Sequence, residues 1–235
     1  MRISARRVNA LVIKEFKDLA RNLNVFVMWL MPIIGAIVLS FIKNLSDSTI
    51  AYSVINLVIL NCCLVSPIVM AMIIAEEKEK NTMRTLMLSG ITPVEFLLGK
   101  AAVTWLITLA INAFIYFQFR ISFKILVGSV VISMLFALIM IIIGAVIGMY
   151  SKNLMSAGTN SMPITMLFVF IPMYSRLNKG VELIAKYLPS YHSQILLNNV
   201  FKGEGLSASN ILPLFVWLVI AVAIFALAFK KRRFD

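Results

Sequence analysis

An uncharged apolar run at residues 50–75 constrains this chain more than any other sequence feature. The run contains no charged side chain, and about 20 apolar residues are enough for a helix to cross the roughly 30 Å hydrocarbon core of a bilayer. Over the whole chain 61% of residues are hydrophobic and only 14% are charged, whereas about a quarter of the residues in soluble domains are charged. The sequence therefore predicts an integral membrane protein.

Five further apolar runs are long enough to be membrane spans. Each is expected to be helical, because a helix satisfies its backbone hydrogen bonds within one segment of lipid-embedded chain. The predicted fold class is an all-α integral membrane protein with six transmembrane helices, which form a single domain over residues 1–235. The predicted spans are residues 24–42, 50–75, 101–119, 125–150, 154–174 and 211–229.

Two segments outside the spans are amphipathic. Residues 1–23 combine several basic side chains with apolar residues at helical spacing, which is typical of a helix lying in the membrane interface. A signal peptide is the rival interpretation, but residues 24–42 form a long apolar run without a clear cleavage site. Residues 176–210 mix charges with short apolar stretches, so we expect short re-entrant or interfacial helices on the outer side, before the last span.

A polar island at residues 76–100 separates the second and third predicted spans. It opens with the charged sequence EEKEK, and the Ser-Gly pair at 89–90 predicts the end of a short helix. Thr92, Pro93 and Glu95 have the spacing of a capping box, so the next helix is expected to begin near Pro93. The island therefore predicts a short helix held between two long ones.

The distribution of basic residues predicts the orientation in the membrane. Most of the 22 lysines and arginines lie in segments that six spans place on the same side as the termini and the island. Positive charge is enriched on the cytoplasmic side of membrane proteins. The termini and the island are therefore predicted to be cytoplasmic, in a cell membrane and most simply a bacterial plasma membrane. The basic residues flank the spans and form no patch, so they indicate membrane lipid and no nucleic acid partner.

No set of residues in the sequence indicates an enzyme. Cys62 and Cys63 are adjacent within an apolar run and lack metal-ligand spacing, and His192 has no evident partner nearby in the sequence. The pair Gly99-Lys100 lacks the earlier glycine, the following Ser or Thr and the preceding strand of a phosphate loop. The chain is therefore predicted to have no catalytic residue, no metal site and no cofactor of its own.

Polar residues inside the predicted spans have two interpretations. Thr104, Thr108 and Asn112 recur every four residues and so share one face of the third span, while Asn56 and Asn61 lie in the second. Polar groups at this depth must face protein or water. Either these five residues line a translocation path, or they form hydrogen bonds between packed helices.

The island resembles the cytoplasmic loop of type-two ABC transporter permeases. The resemblance comprises an acidic cluster leaving the second span, a threonine, a short apolar helix, a Ser/Gly break, a proline and a Gly-Lys pair. The matching positions are Glu77, Glu79, Thr82, Leu86, Pro93, Gly99 and Lys100. Asn81 departs from the pattern, since the family commonly has glycine there. The six spans, the amino-terminal helix and the proline-containing sequence at 187–191 extend the resemblance over essentially the whole chain.

The resemblance implies the membrane subunit of an ATP-driven exporter. In this family the loop forms a coupling helix that docks on a separate nucleotide-binding (ATPase) subunit, which binds ATP and Mg. The permease pairs with a second permease chain as a homodimer or a heterodimer. The ATPase-coupling residues implied here are Glu77, Glu79, Thr82, Met83, Leu86, Met87 and Pro93. The alternative is a solvated turn that only fixes the membrane topology.

The sequence gives less information about the transported cargo than about any other property of the protein. The predicted spans carry no ionised residue at mid-depth, which argues against an ion relay. We therefore expect a hydrophobic or amphipathic cargo, such as a drug or a membrane-active peptide, that moves at the interface of two permease chains. A lipid-linked glycan or sodium is the alternative within the family. A non-transporting membrane scaffold or immunity protein is the alternative from a different class.

Overall fold

The structure is a computed structural model that describes residues 5–19, 22–42, 46–82, 88, 90–175 and 177–231. Every regular element in these ranges is a helix. Numbered in chain order, the α-helices are α1 (Ala5–Leu19), α2 (Leu23–Ser40), α3 (Asp47–Leu60), α4 (Ser66–Glu79), α5 (Pro93–Gln118), α6 (Phe123–Tyr150), α7 (Leu154–Tyr174), α8 (Lys179–Ala185), α9 (Pro189–Phe201) and α10 (Ala208–Lys231).

Six helices in the described chain are long and apolar enough to cross a membrane. Five of them are α2, α5, α6, α7 and α10. The sixth, Asp47–Glu79, consists of α3, the π-helical turn Asn61–Val65 and α4. The predicted all-α fold class with six spans is thus confirmed. Two spanning helices continue into the polar island, because Glu76–Glu79 complete α4 and Pro93 begins α5.

The π-helical turn lies just before Pro67. Proline lacks a backbone N–H and cannot donate to the carbonyl four residues earlier, which interrupts the regular helical pattern. The helix widens over Asn61–Val65, and both the backbone N–H and the hydroxyl of Ser66 donate to the carbonyl of Asn61. The second span therefore remains continuous through the proline.

The second span is the centre of the bundle. In its most apolar 18-residue window 89% of the residues are buried, against 22% for α2 and 17% for α10. Gly144 and Gly148 let α6 approach α4 closely, since a Cβ on Gly144 would lie only 2.3 Å from the carbonyl oxygen of Pro67. This close contact is the helix packing that small residues permit in membrane proteins.

Helix α1 packs along the first turns of α5. Leu11 is 3% exposed and fills the space beside Gly99, where a Cβ would lie 2.9 Å from the Cβ of Leu11. Ile13 and Phe16 on the other side of α1 are exposed. The helix is therefore amphipathic in the structure, with one face against the bundle. We refer to this region as the α1 end of the bundle.

The short helices α8 and α9 lie between α7 and α10, at the opposite end. His192 on α9 has two partners that the sequence-based interpretation did not identify. Its Nε2 lies 2.8 Å from the carbonyl oxygen of Lys186, and its Nδ1 lies 2.9 Å from Oδ1 of Asn210. Trp217 on α10 donates a hydrogen bond to the carbonyl of Tyr187. These contacts hold both short helices to the start of the last span.

Candidate functional site

Four consecutive residues at the end of α4 lie where α1 and the ends of four other spanning helices meet. They are Glu76, Glu77, Lys78 and Glu79. Neighbouring side chains leave an α-helix about 100° apart, so four in succession point in different directions around it. Glu76 and Glu77 reach different helices, while Lys78 and Glu79 reach the two sides of one turn. We call these four residues the hub.

Glu77 is the buried centre of the hub. It is 7% exposed, and its Oε1 accepts hydrogen bonds from Nζ of Lys14 at 2.9 Å and from Nζ of Lys100 at 3.1 Å. Its other carboxylate oxygen accepts the hydroxyl of Thr82. Lys100 also donates to Glu15 at 2.8 Å, and both of these side chains are 2% exposed. Two lysines and two carboxylates thus compensate one another where an unpaired charge would be strongly destabilising.

The acidic residues of this region form an ion-pair network with lysines. Glu15, Asp18 and Glu77 have carboxylate oxygens close enough together to hold a metal ion, beside a cavity of about 320 Å³. However, Nζ of Lys14 lies within 3.3 Å of Asp18 and 2.9 Å of Glu77, and Lys100 pairs with Glu15 and Glu77. The ammonium groups supply the positive charge that a metal would supply, so the cluster does not indicate a metal site.

Lys14 shows how these charges balance. Burial works to lower the pKa of Lys14, but the hydrogen bond to Glu77 and the carboxylates of Glu77 and Glu15 outweigh it and raise the pKa above its ordinary value. Lys14 is therefore charged at neutral pH. The charge fixes α1 to the end of α4.

Glu76 holds the start of the first span. Its carboxylate accepts a hydrogen bond from the side-chain amide of Asn22. Asn22 is also the N-cap of α2, where its side-chain oxygen accepts the backbone N–H of Val25 at 3.3 Å. The same asparagine therefore caps one helix and attaches it to another.

Lys78 and Glu79 hold the turn between α6 and α7. Nζ of Lys78 donates to the carbonyl oxygens of Met149 at 2.8 Å and Ser151 at 2.9 Å. The carboxylate of Glu79 accepts the backbone N–H of Leu154, the first residue of α7, at 3.0 Å. A cation at a helix C-terminus and an anion at a helix N-terminus both interact favourably with the helix dipoles.

The loop after the hub contains two residues with positive φ that the sequence analysis singled out. Gly90 has a φ of 87°, the left-handed conformation predicted for it, and Asn81 has a φ of 54°. Asparagine tolerates the left-handed region better than most residues other than glycine. Asn81 can therefore replace the glycine that is common in the family at this position.

The start of α5 has the predicted capping box. The backbone N–H of Glu95 donates to the Thr92 hydroxyl at 3.2 Å, and the Glu95 side chain accepts the backbone N–H of Thr92 at 2.9 Å. Arg7 of α1 adds an ion pair to Glu95 at 2.9 Å and a hydrogen bond to the carbonyl of Gly90 at 3.0 Å. Helix α1 thus holds both the hub and the far end of the loop.

The predicted coupling residues do not share one environment. Glu77, Glu79 and Thr82 form hydrogen bonds within the chain, and Glu77 is buried in it, while their part in coupling stays a prediction. Pro93 is the first residue of α5. Met83, Leu86 and Met87 lie outside the described residues, so their role in docking stays a prediction.

Sequence reasoning missed Glu15 and the side-chain partners of Lys100. The signal was present in α1, because Glu15 lies four residues after Leu11 and so shares the apolar face of that helix. A carboxylate on an apolar helix face requires a buried cation, and only the fold shows that Lys100 supplies it.

The polar residues of the second and third spans form a buried stripe, defined here as Asn61, Ser66, Thr104, Thr108 and Asn112. All five are 0% exposed. The side-chain amide of Asn61 donates to the Thr108 carbonyl at 3.1 Å and to Oδ1 of Asn112 at 2.8 Å, and the hydroxyls of Ser66 and Thr108 are 2.9 Å apart.

These contacts join the second span to α5. They are hydrogen bonds between packed helices, which is the second of the two interpretations that the sequence left open. The stripe members do not line an open path within this chain, and Asn56, which is half-buried, lies outside the hydrogen-bonded set. The sequence showed the shared face of the third span, but it did not show that this face is covered by the second.

An exposed face of α7 has an unusual composition for a membrane span. The mean hydropathy of its best window is 1.4, against 1.7 to 3.1 for the other five spanning helices of the described chain. Four exposed methionines recur on one side at spacings of seven, four and seven residues. We call this the methionine face: Met155, Met162, Met166 and Met173, with the exposed Thr159 between the first two. The sequence analysis did not identify it, although the methionine spacing was the available signal.

Comparison with known proteins gives one family match. No curated protein matches the chain. A family model described as ABC-2 family transporter protein matches residues 30–230, a range that contains the hub, the stripe and the methionine face. Together with the six spanning helices, this match shows that the chain belongs to the ABC-2 family, as a permease component of an ABC transporter.

Proposed function

We propose that this chain is the transmembrane permease subunit of an ATP-driven exporter. Family membership supports transport and a partner ATPase. The observation that carries the proposal is the hub, because it connects the loop between the second and third spans to α1, α2, α5, α6 and α7. A loop attached in this way can act on most of the bundle at once.

The proposed motor is a separate nucleotide-binding subunit that binds ATP and Mg. It would dock on the cytoplasmic loop through Met83, Leu86 and Met87, and through Leu88, which is 82% exposed. Methionine and leucine side chains provide an adaptable apolar surface for a groove on the partner. Closing of the motor would then push the loop and tilt α4 and α5 as levers.

The proposed cargo is hydrophobic or amphipathic and moves between two permease chains. The methionine face of α7 supports this choice, since it is exposed in the single chain and combines flexible apolar side chains with a hydroxyl group. Flexible thioether side chains adapt to ligands of different shapes. The buried stripe offers no comparable surface, because all five of its side chains are 0% exposed.

The first experiment tests the partner. The tagged chain is purified in mild detergent with its associated proteins, and co-purification of a nucleotide-binding subunit at a stoichiometric level is the expected result. Its absence, in a preparation that retains the folded permease, would favour the scaffold or immunity alternative.

The second experiment tests transport. Inverted vesicles containing the complex should accumulate a fluorescent amphiphile with ATP and not with a non-hydrolysable ATP analogue. ATP-dependent uptake of a labelled lipid-linked glycan or of sodium, without uptake of the amphiphile, would overturn the cargo assignment and leave the exporter assignment intact.

A further inference from the structure

The end of the second span holds the turn between the fourth and fifth spans through two of the hub residues, Lys78 and Glu79. The C-terminal carbonyls of α6 lack donors within their own helix, and Lys78 supplies a donor to two groups there, the carbonyls of Met149 and Ser151. Glu79 accepts the first N–H of α7. We call Lys78, Glu79 and these backbone partners the clasp.

The turn itself is well ordered by its own hydrogen bonds. Asn153 caps α7, accepting the backbone N–H of Ser156 at 2.8 Å, and the Ser156 hydroxyl accepts the backbone N–H of Asn153 at 3.0 Å. Because Lys78 and Glu79 bond to backbone groups of this turn, only their own side chains can absorb a displacement. A movement of the end of α4 beyond the reach of these two side chains must carry the backbone of the turn with it or break the bonds.

The clasp also lies next to the loop on which the proposed motor would act. Glu79 is the last residue of α4, and the loop begins directly after it. The fourth and fifth spans have no direct chain connection to this loop, so its movement reaches them only through contacts. Farther along, α4 and α6 meet through Gly144 and Gly148, a close steric contact without a charged pair.

We propose that Lys78 and Glu79 are positioning residues that transmit movement of the loop to the fourth and fifth spans. This inference rests on the proposed function, because it requires a motor that moves the loop. It extends that function in one respect. The loop joins only the second and third spans, yet α7, which carries the methionine face, would move with them.

The test compares a fluorescent label in the turn between α6 and α7 with a label on α5, which the loop joins directly. Bimane is attached to Lys152→Cys in the turn or, in a separate sample, to Val94→Cys at the start of α5. Cys62 and Cys63 are both 0% exposed, so labelling should be selective for the introduced thiol. The complex with its co-purified nucleotide-binding subunit is then trapped with ATP and vanadate, and the change in emission is recorded.

With the hub intact, both labels should respond to trapping. With Lys78→Met and Glu79→Ala combined, the Val94→Cys label should keep its response and the Lys152→Cys label should lose most of it. Lys78→Arg and Glu79→Gln retain a donor and an acceptor and should restore the response at Lys152→Cys. A purely structural role would not separate the two labels in this way.

Transport per ATP hydrolysed provides a second readout. Lys78→Met should lower this ratio, whereas Lys152→Met, which removes an exposed lysine from the same turn, should leave it unchanged. An undiminished Lys152→Cys response in the double variant would overturn the inference and leave the proposed function standing. Loss of both label responses would also overturn it, since the double variant would then have disrupted the hub as a whole. Absence of any response with the hub intact would overturn the proposed function and this inference together.

Discussion

The buried stripe and the hub are two polar regions that both involve the second span, and they join it to the bundle in different ways. The stripe uses only amides and hydroxyls and connects the second span to α5 through a few short hydrogen bonds. The hub uses charges and connects the end of that span to five other helices.

The difference follows from the cost of burying each kind of group. An amide or hydroxyl needs only one or two local partners to be satisfied, so a neutral stripe can join two helices in the middle of a membrane. A buried charge needs an opposite charge and further hydrogen bonds. The hub therefore lies at the end of the bundle, where α1 supplies Lys14 and Glu15. Four predictions test this comparison, from the largest expected effect on stability to the smallest.

The largest effect is expected from Lys100→Met. Among the described residues, this change leaves Glu15 with only the 3.7 Å contact to Lys14, and breaking a buried ion pair typically costs about 3–5 kcal/mol. The free energy of unfolding, measured by titration with denaturing detergent, should fall by this amount. Combining Lys100→Met with Glu15→Gln should recover part of the loss, because the uncompensated carboxylate is removed. A single variant as stable as the exposed control Lys152→Met would contradict the role assigned to this ion pair.

A smaller effect is expected from Gly144→Ala, which tests a close steric contact of the second span that involves no charged pair. The new Cβ would lie 2.3 Å from the Pro67 carbonyl oxygen, so α4 and α6 must separate, and overpacking of this kind costs about 1–3 kcal/mol. Gly158→Ala is the matched control, since the nearest atom to its Cβ would be Sδ of Met72 at 3.9 Å. Equal unfolding free energies for the two variants would show that the helices are not in close contact at Gly144.

Asn112→Leu should have a still smaller effect. It removes one acceptor of Asn61 and a 3.4 Å contact to Sγ of Cys62, and hydrogen bonds between membrane helices contribute about 0.6 kcal/mol on average. Transport of the amphiphile should persist, because the stripe is buried between the second span and α5. Asn56→Leu, at a half-buried amide outside the stripe, is the control for stability. Loss of transport with a fully folded Asn112→Leu protein would restore the translocation interpretation of the stripe.

Met162→Leu should leave stability within about 0.5 kcal/mol, since the side chain is exposed and the volume is conserved. If the methionine face contacts cargo, the relative uptake of amphiphiles of different shapes should change, because leucine adapts less readily than methionine. Met31→Leu makes the same substitution at an exposed position of α2. An identical uptake profile for Met162→Leu and the unsubstituted protein would remove α7 from the proposed path.

Part of the site could be predicted from local sequence, and particular residues show why. Thr92 and Glu95 are three residues apart, and their capping box forms within one helical turn, so their spacing was sufficient. Gly90 was predictable for the same reason. Glu79 belongs to the polar island that the sequence showed, but its bond to the N–H of Leu154 joins residues 75 positions apart in the sequence, and no local pattern encodes that distance.

The sequence by itself determined the six-span helical fold, because apolar segments of spanning length must satisfy their backbone hydrogen bonds internally in lipid. It also determined where the polar loop lies and how the next helix begins. Only the tertiary structure decided which way each polar group points. Glu77 was expected at a partner surface and is buried against Lys14 and Lys100, while the stripe that could have faced a path is covered by the second span. Both outcomes depend on which helices are neighbours, and helix packing fixes that arrangement through contacts far apart in the chain.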